Sequence, residues 1–366
     1  MLAKVRIYPF LAIALVLAWQ WATVHANYGG NWTALYCTGA LQPHPPLVGA
    51  EHIYVFPNSA GYDGQLYHYV AHDPLLRGDL KNYVDDARLR YRRILVPALA
   101  YVIALGQQRW IDPAYELVFL LTVGLGVYWS CRISPKWGLL FLLIPAIPVM
   151  MDRLVVDGAL AALTAGFICY RDGPRWKFLL ILTCAALTRE TGFLLIAAAL
   201  LWRPAIFTAA SAVPALGWYG YVSTRTADTS YPFSFAPLSG VLHVLANPWQ
   251  YPAGTPFTGV LVAADYLAVF GGLLAIGLAF YLLRRNDPVT IAAALFATLA
   301  VVIQRADLWQ NVYDIGRLQS PLLICLAAIA VLDRRPWLVL PIALILPRLA
   351  MQFAPQMLGV IQKAAG

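Results

Sequence analysis

The stretch Gly61-Tyr62-Asp63-Gly64-Gln65-Leu66-Tyr67, with Asp73-Pro74 shortly after it, sets a carboxylate between glycines and tyrosines in a polar segment behind the first hydrophobic run. A carboxylate so placed can take the proton of an attacking hydroxyl, the general-base step of a group transfer. An Asp-Gly pair also suits an exposed tight turn by composition alone, so its surroundings decide. Further candidates are the arginine-rich Arg88-Leu89-Arg90-Tyr91-Arg92-Arg93, the Asp152-Arg153 turn with Asp157, Arg189-Glu190 inside an apolar run, and Arg305, Asp307, Asp314 and Arg317. Guanidiniums bind phosphate bidentately, so carboxylates and arginines gathered at a membrane surface suit a polyprenyl-phosphate-linked substrate. Each group also has a plainer reading. Arg153 and Asp157 stand four apart and fit a helix-surface pair; the Arg88 to Arg93 run fits lipid headgroups; Arg305 with Asp307 fits an interface anchor.

The elements that must position these residues are membrane helices. Of 366 residues, 60% are hydrophobic and 12% charged, about half the charged share of a soluble domain. The net charge of +8 reports loop topology first and gives no footing for nucleic acid. The first apolar run, Ile7 to Ala26, follows Lys4 and Arg6 and ends in a sequence resembling a signal-peptidase site, but it exceeds the usual leader core. It reads as a retained anchor with the N-terminus cytoplasmic. Ile94 to Leu105, interrupted by Pro97, would reach only about 18 Å of a roughly 30 Å core, which leaves a strained span or an interfacial helix; the distribution of basic turns favours the interface. Ala114 to Cys131, Trp137 to Met150 and Leu160 to Tyr170 then put basic turns inside and the Asp152-Asp157 turn outside. Phe178 to Leu201 carries Arg189 and Glu190 at its middle, where each charge would cost about 2.5 to 3.5 kcal/mol, so a hairpin of two short helices with Arg189 at its outer tip is expected.

Continuing the alternation, Ala205 to Tyr221, Val260 to Leu283, Val289 to Ile303, Leu318 to Leu332 and Trp337 to Ala350 cross in turn. The expected fold is all-α: one polytopic domain over residues 1–366 of about eleven transmembrane or half-spanning helices. It has a large first extracytoplasmic loop (28–113) and a second outer loop (222–258) whose prolines and aromatic rings suit an interface belt. The candidate site is expected on the outer, extracytoplasmic side of the membrane. No glycine-rich nucleotide loop, HExxH pair or GxSxG elbow is present, so soluble-nucleotide chemistry has no foothold and no cofactor is expected. Five cysteines without a CxxC pair point to neither a disulfide framework nor a zinc site.

Together, Tyr62-Asp63-Gly64-Gln65, Tyr67, Asp73-Pro74, Arg90-Tyr91-Arg92-Arg93-Ile94-Leu95 and Leu187-Thr188-Arg189-Glu190-Thr191 resemble a bacterial family of cell-surface glycopolymer formation proteins within the GT-C superfamily of polytopic glycosyltransferases. The resemblance runs to about Trp202, with Gly316-Arg317 the later match. It implies an enzyme that moves a sugar from a polyprenyl-phosphate donor to a glycan, lipid or protein acceptor with inversion. Asp63 would be its base and Arg189 the residue that holds the donor phosphate. Arg153, Asp157, Arg92 and Arg93 would assist, Tyr62, Gln65, Tyr67 and Asp73 would orient sugar or base, and Glu190 would accompany Arg189. Many superfamily members pair two acidic residues in the first loop, whereas Asp63 is followed by Gly64, which implies a metal-independent site. The competing expectations are a lipid-linked glycan polymerase or ligase of another fold, a lipid-linked sugar transporter or flippase, and a scaffold.

Overall fold

The computed structural model describes residues 2–227, 236–247, 249–252, 254–303, 306–310 and 312–365. Arg305 and the aromatic run 231–235 of the expected second loop lie outside the described residues. A chain this apolar must satisfy its backbone internally, and it does so with helices. Among the described residues the strands are two short pieces, Thr38–Gly39 and Val55–Phe56, paired in parallel.

Among the described residues four helices are long and apolar enough to cross a membrane: Ile7–Asn27, Gln108–Ile133, Thr258–Tyr281 and Asp314–Leu332. A fifth span results if Pro336–Gln352 and Ala354–Ala365, bent by 51°, are one. Asp157–Tyr170, Glu190–Trp202 and Pro288–Val302 are apolar but shorter, reaching only about 20 to 23 Å.

Prolines account for much of the difference from the sequence-based segments. Trp137 to Met150 divides at Pro145 into a 3-10 turn, Gly138–Leu143, and a helix, Ala146–Arg153. Ala205 to Tyr221 divides into Ile206–Ala210 and Val213–Ser223, the second opening with Pro214 in its first turn. Proline lacks an N–H and clashes with the preceding turn, so it starts helices better than it continues them. The helix Leu95–Ile103 has nine residues, about 14 Å and less than half a hydrocarbon core. Phe178 to Leu201 breaks at Arg189, whose backbone is extended (φ −160°, ψ 147°), between Arg175–Thr188 and Phe193–Trp202. Gly192 lets this break close: a Cβ there would lie 2.0 Å from the Ala185 carbonyl oxygen.

The helices order the charges into two ends. At one end Arg171 lies 3.8 Å from Asp287, Arg284 pairs with Asp333, and Arg132 and Arg171 share a small cavity. At the other end the starts of Asp157–Tyr170 and Val312–Leu332 meet the break at Arg189 and the first loop.

The loop carries its own apolar core, with Val48, Ile53, Leu66, Val70, Val84 and Tyr91 buried together. The helix Asp63–His72 joins that core to the main one. Leu66, Tyr69 and Val70 face the loop core, while Tyr67 and Ala71, one helical turn apart, pack into the bundle. After Asp63 every residue of this helix is buried, including Gln65, His68 and His72. Buried polar groups in such a position need partners.

Candidate active site

Asp63 opens a helix and is not an exposed turn. Tyr62 at the N-cap is extended (φ −143°, ψ 172°), and Asp63 supplies the acid in the first turn, where the helix dipole favours negative charge. Gln65 braces the approach, its amide nitrogen donating to the Ala60 carbonyl at 3.1 Å and its oxygen accepting from the Gly39 N–H at 3.1 Å. Gly64 is required by packing. A Cβ there would sit 2.0 Å from the Arg153 carbonyl oxygen and 2.8 Å from that of Tyr36. The place of a second adjacent carboxylate is therefore filled by backbone.

Around Asp63 an ion network draws on segments far apart in sequence. Arg317 Nη1 donates to Asp63 Oδ2 at 2.6 Å, and Arg90 Nη2 meets Asp63 Oδ1 at 2.9 Å. Arg90 also holds Asp85 through two bonds of 2.9 and 2.8 Å. Arg317 reaches Asp314 at 2.7 Å and lies 3.7 Å from Asp157, which pairs in turn with Arg189. Tyr62 donates its hydroxyl to Asp314 at 3.0 Å and lies beneath the Arg317 guanidinium. The Tyr67 hydroxyl, fully buried, accepts from Arg93 at 2.9 Å and from Arg90 at 3.4 Å. Arg93 closes the chain on Glu190 with bonds of 2.9 and 2.5 Å.

Of the residues singled out from sequence, Asp63, Tyr62, Tyr67, Arg93, Asp157, Arg189 and Glu190 thus converge. Arg189 stands at the break between Arg175–Thr188 and Phe193–Trp202, its side chain turned onto Asp157 and 11% exposed. Gln65 braces the backbone with its amide and also lines the polar cavity beside Asp63. Three others stand apart. Arg92 turns its guanidinium over the Tyr219 ring, 5.2 Å from its centre. Asp73 ends the helix that Asp63 begins and closes a turn, accepting from the Arg77 and Gly78 N–H groups at 2.9 and 2.8 Å. Arg153 pairs with its neighbour Asp152 at 3.1 Å. Arg153 and Asp157 are not a helix-surface pair: Ala146–Arg153 ends at Arg153, Leu154 is left-handed (φ 45°), and Asp157 begins the next helix.

The first loop's arginine run is likewise no free headgroup cluster. Arg88 donates to the Thr226 carbonyl at 2.8 Å, while Arg90 and Arg93 are consumed by the network. Arg90, Asp85 and Arg317 complete the constellation although sequence reasoning gave them no role at the centre. The available signal was spacing: Arg90 and Arg93 stand three apart and share a face, which Arg92 does not.

Asp63, Tyr62, Tyr69, Tyr83 and Asp85 line a polar cavity of about 190 Å³. Burial alone would raise the Asp63 pKa, but Arg317 and Arg90 outweigh it and hold the carboxyl well below the usual carboxylate range. Arg90, Arg93, Arg189 and Arg317 face Asp63, Asp85, Asp157, Glu190 and Asp314. With four cations against five anions, an incoming phosphate must take guanidinium bonds away from carboxylates. It finds no pre-empted positive hole.

Set against family models, curated proteins and solved structures, the chain matches none of them.

Proposed function

We propose that the protein is a membrane glycosyltransferase of GT-C type. In this reading it takes a sugar from a polyprenyl-phosphate-linked donor and passes it, with inversion, to a cell-envelope glycan, lipid or protein on the extracytoplasmic face of a bacterial plasma membrane. The observation that carries the reading is one partly buried carboxylate, Asp63, at the edge of a polar cavity and ligated by arginines from two distant segments.

In the proposed reaction the acceptor hydroxyl oxygen forms a bond to the anomeric carbon as the bond from that carbon to the phosphate oxygen breaks. The hydroxyl proton passes to Asp63, and the electron pair leaves with polyprenyl phosphate. A donor phosphate that takes Arg317 or Arg90 from Asp63 removes the cations that keep the carboxylate weakly basic. Donor binding and base activation are then one event. General-base catalysis of this kind is worth about 10² to 10⁴ in rate, and guanidiniums on the departing phosphate add electrostatic stabilisation.

A transporter would need charged groups spaced along a path through the bundle, whereas this network gathers at one end. Product analysis tests the proposal: a transferred sugar whose anomeric configuration is opposite to the donor's supports it. Movement of an unchanged lipid-linked sugar across vesicles that hold no acceptor would count for a flippase instead.

A further inference from the structure

We propose that Glu51, His68, His72 and Asp112 form a zinc-binding site, separate from the Asp63 network and independent of the sugar-transfer reading. The cysteines give no reason to look for zinc, and none takes part. One ligand atom from each of the four residues lies within 4.8 Å of all the others. His68 Nε2 is 2.7 Å from Asp112 Oδ1 and 3.0 Å from His72 Nε2. His72 Nε2 is 3.6 Å from Glu51 Oε2 and 3.9 Å from Asp112 Oδ1. Four ligands at Zn–N and Zn–O lengths of about 2.1 Å around a tetrahedral ion are spaced about 3.4 Å apart, so these separations bracket what the ion requires.

Proton placement strengthens the assignment. His72 Nδ1 lies 2.5 Å from Gln108 Oε1, an acceptor, so the ring proton sits on Nδ1 and the Nε2 lone pair points into the cluster. That lone pair faces the carboxylates of Glu51 and Asp112. A single proton on His68 Nε2 can serve His72 or Asp112 and leaves Glu51 unanswered. A divalent cation satisfies all four. A histidine ligand whose second nitrogen is held by an oxygen is the usual arrangement in zinc sites; His72 has it, while His68 Nδ1 is buried without a hydrogen-bond partner. Tyr36 adds a further brace, stacking on His68 with ring centres 3.9 Å apart and donating its hydroxyl to Asp112 at 3.1 Å.

Both histidines are buried, at 0% and 4% exposure, while Asp112 and Glu116 line an adjoining apolar cavity of about 460 Å³ that offers an entry path. The ion would tie together the first loop at Glu51, the helix that begins with Asp63, and the start of Ile111–Ile133. His68 and Asp63 are five residues apart, about 140° around the helix, so the metal would lie away from the polar cavity and hold its helix from behind.

The test uses the full-length chain in detergent, exposed to Zn²⁺, desalted and assayed for metal. About one zinc per chain is expected, with the affinity lowered at least about tenfold by His68→Gln or His72→Gln and unchanged by His243→Gln at an exposed histidine. Exchange with Co²⁺ is expected to give the visible absorption of a tetrahedral nitrogen and oxygen site, lost in the same two variants. Should the histidine variants fail to fold, Glu51→Gln weakens the site from the loop side and carries the same expectation. Wild-type protein that retains no zinc, or variants that retain as much as wild type, would overturn the proposal; the second result would mark adventitious surface binding.

Discussion

Arg317 Nη1 donates a 2.6 Å hydrogen bond to Asp63 Oδ2 across 254 residues of sequence, tying the first turn of a loop helix to the start of a late, long apolar helix. The same guanidinium holds Asp314 at 2.7 Å. Arg317→Lys keeps the charge but loses the planar fork that spans two carboxylates. A fall of about 10- to 100-fold in kcat/KM for lipid-linked donor is expected, with the chain still folded. Steady-state kinetics beside detergent melting curves would check both parts.

The lowered pKa of Asp63 sets a pH window. A carboxylate whose folded-state value lies below its unfolded value, about 3.9, stabilises the fold fully above that value and loses the contribution as pH falls toward the folded one. The melting-temperature difference between wild type and Asp63→Asn should be constant from about pH 5 to 8 and shrink below about pH 4. For the same reason, kcat/KM should show no acid limb from Asp63 above about pH 4.

Arg93 and Arg92 are adjacent in sequence yet serve different partners. Arg93 grips Glu190 and Tyr67, whereas Arg92 lies over Tyr219. Arg93→Gln leaves Glu190, whose side chain is 35% exposed, without its guanidinium and the buried Tyr67 hydroxyl without its nearer donor, a loss of about 1 to 3 kcal/mol. Arg92→Gln should change transfer by only a few-fold. Parallel activity and thermal-shift measurements on the two variants would show whether the contrast holds.

Gly64→Ala tests the packing around the base. The added Cβ meets two carbonyl oxygens of the main chain, neither able to swing aside. Such overpacking costs about 1 to 3 kcal/mol or more, so a lower melting temperature and displaced activity are expected. Ala at the exposed Gly217, where nothing lies near the added atom, should raise helix stability slightly if it changes it at all.

Much of the architecture follows from local chemistry. Apolar runs give helices, Pro135 ends Gln108–Ile133 by forcing Ser134 into extended backbone (φ −157°), and two charges in one apolar run mark the break at Arg189. Asp63, Arg189 and Glu190 could be singled out because charged residues within an apolar chain are expensive. What sequence spacing does not reveal is pairing. That Arg317 rather than Arg92 or Arg153 reaches Asp63 depends on how distant helix ends meet. Asp157 pairs with Arg189 and not with Arg153, because Leu154 adopts a left-handed backbone between them. The His68 and His72 pair stands four apart in plain view, yet its partners Glu51 and Asp112 come from a loop and another helix.

The most direct measurement is glycosyl transfer by the purified protein in detergent, using a panel of radiolabelled polyprenyl-phosphate sugars and a membrane extract as acceptor, with wild type and Asp63→Asn side by side. Label passing to the acceptor from at least one donor in wild type, and falling by at least about 10²-fold in a folded Asp63→Asn variant, is the expected result. Equal transfer by the two proteins would contradict the account.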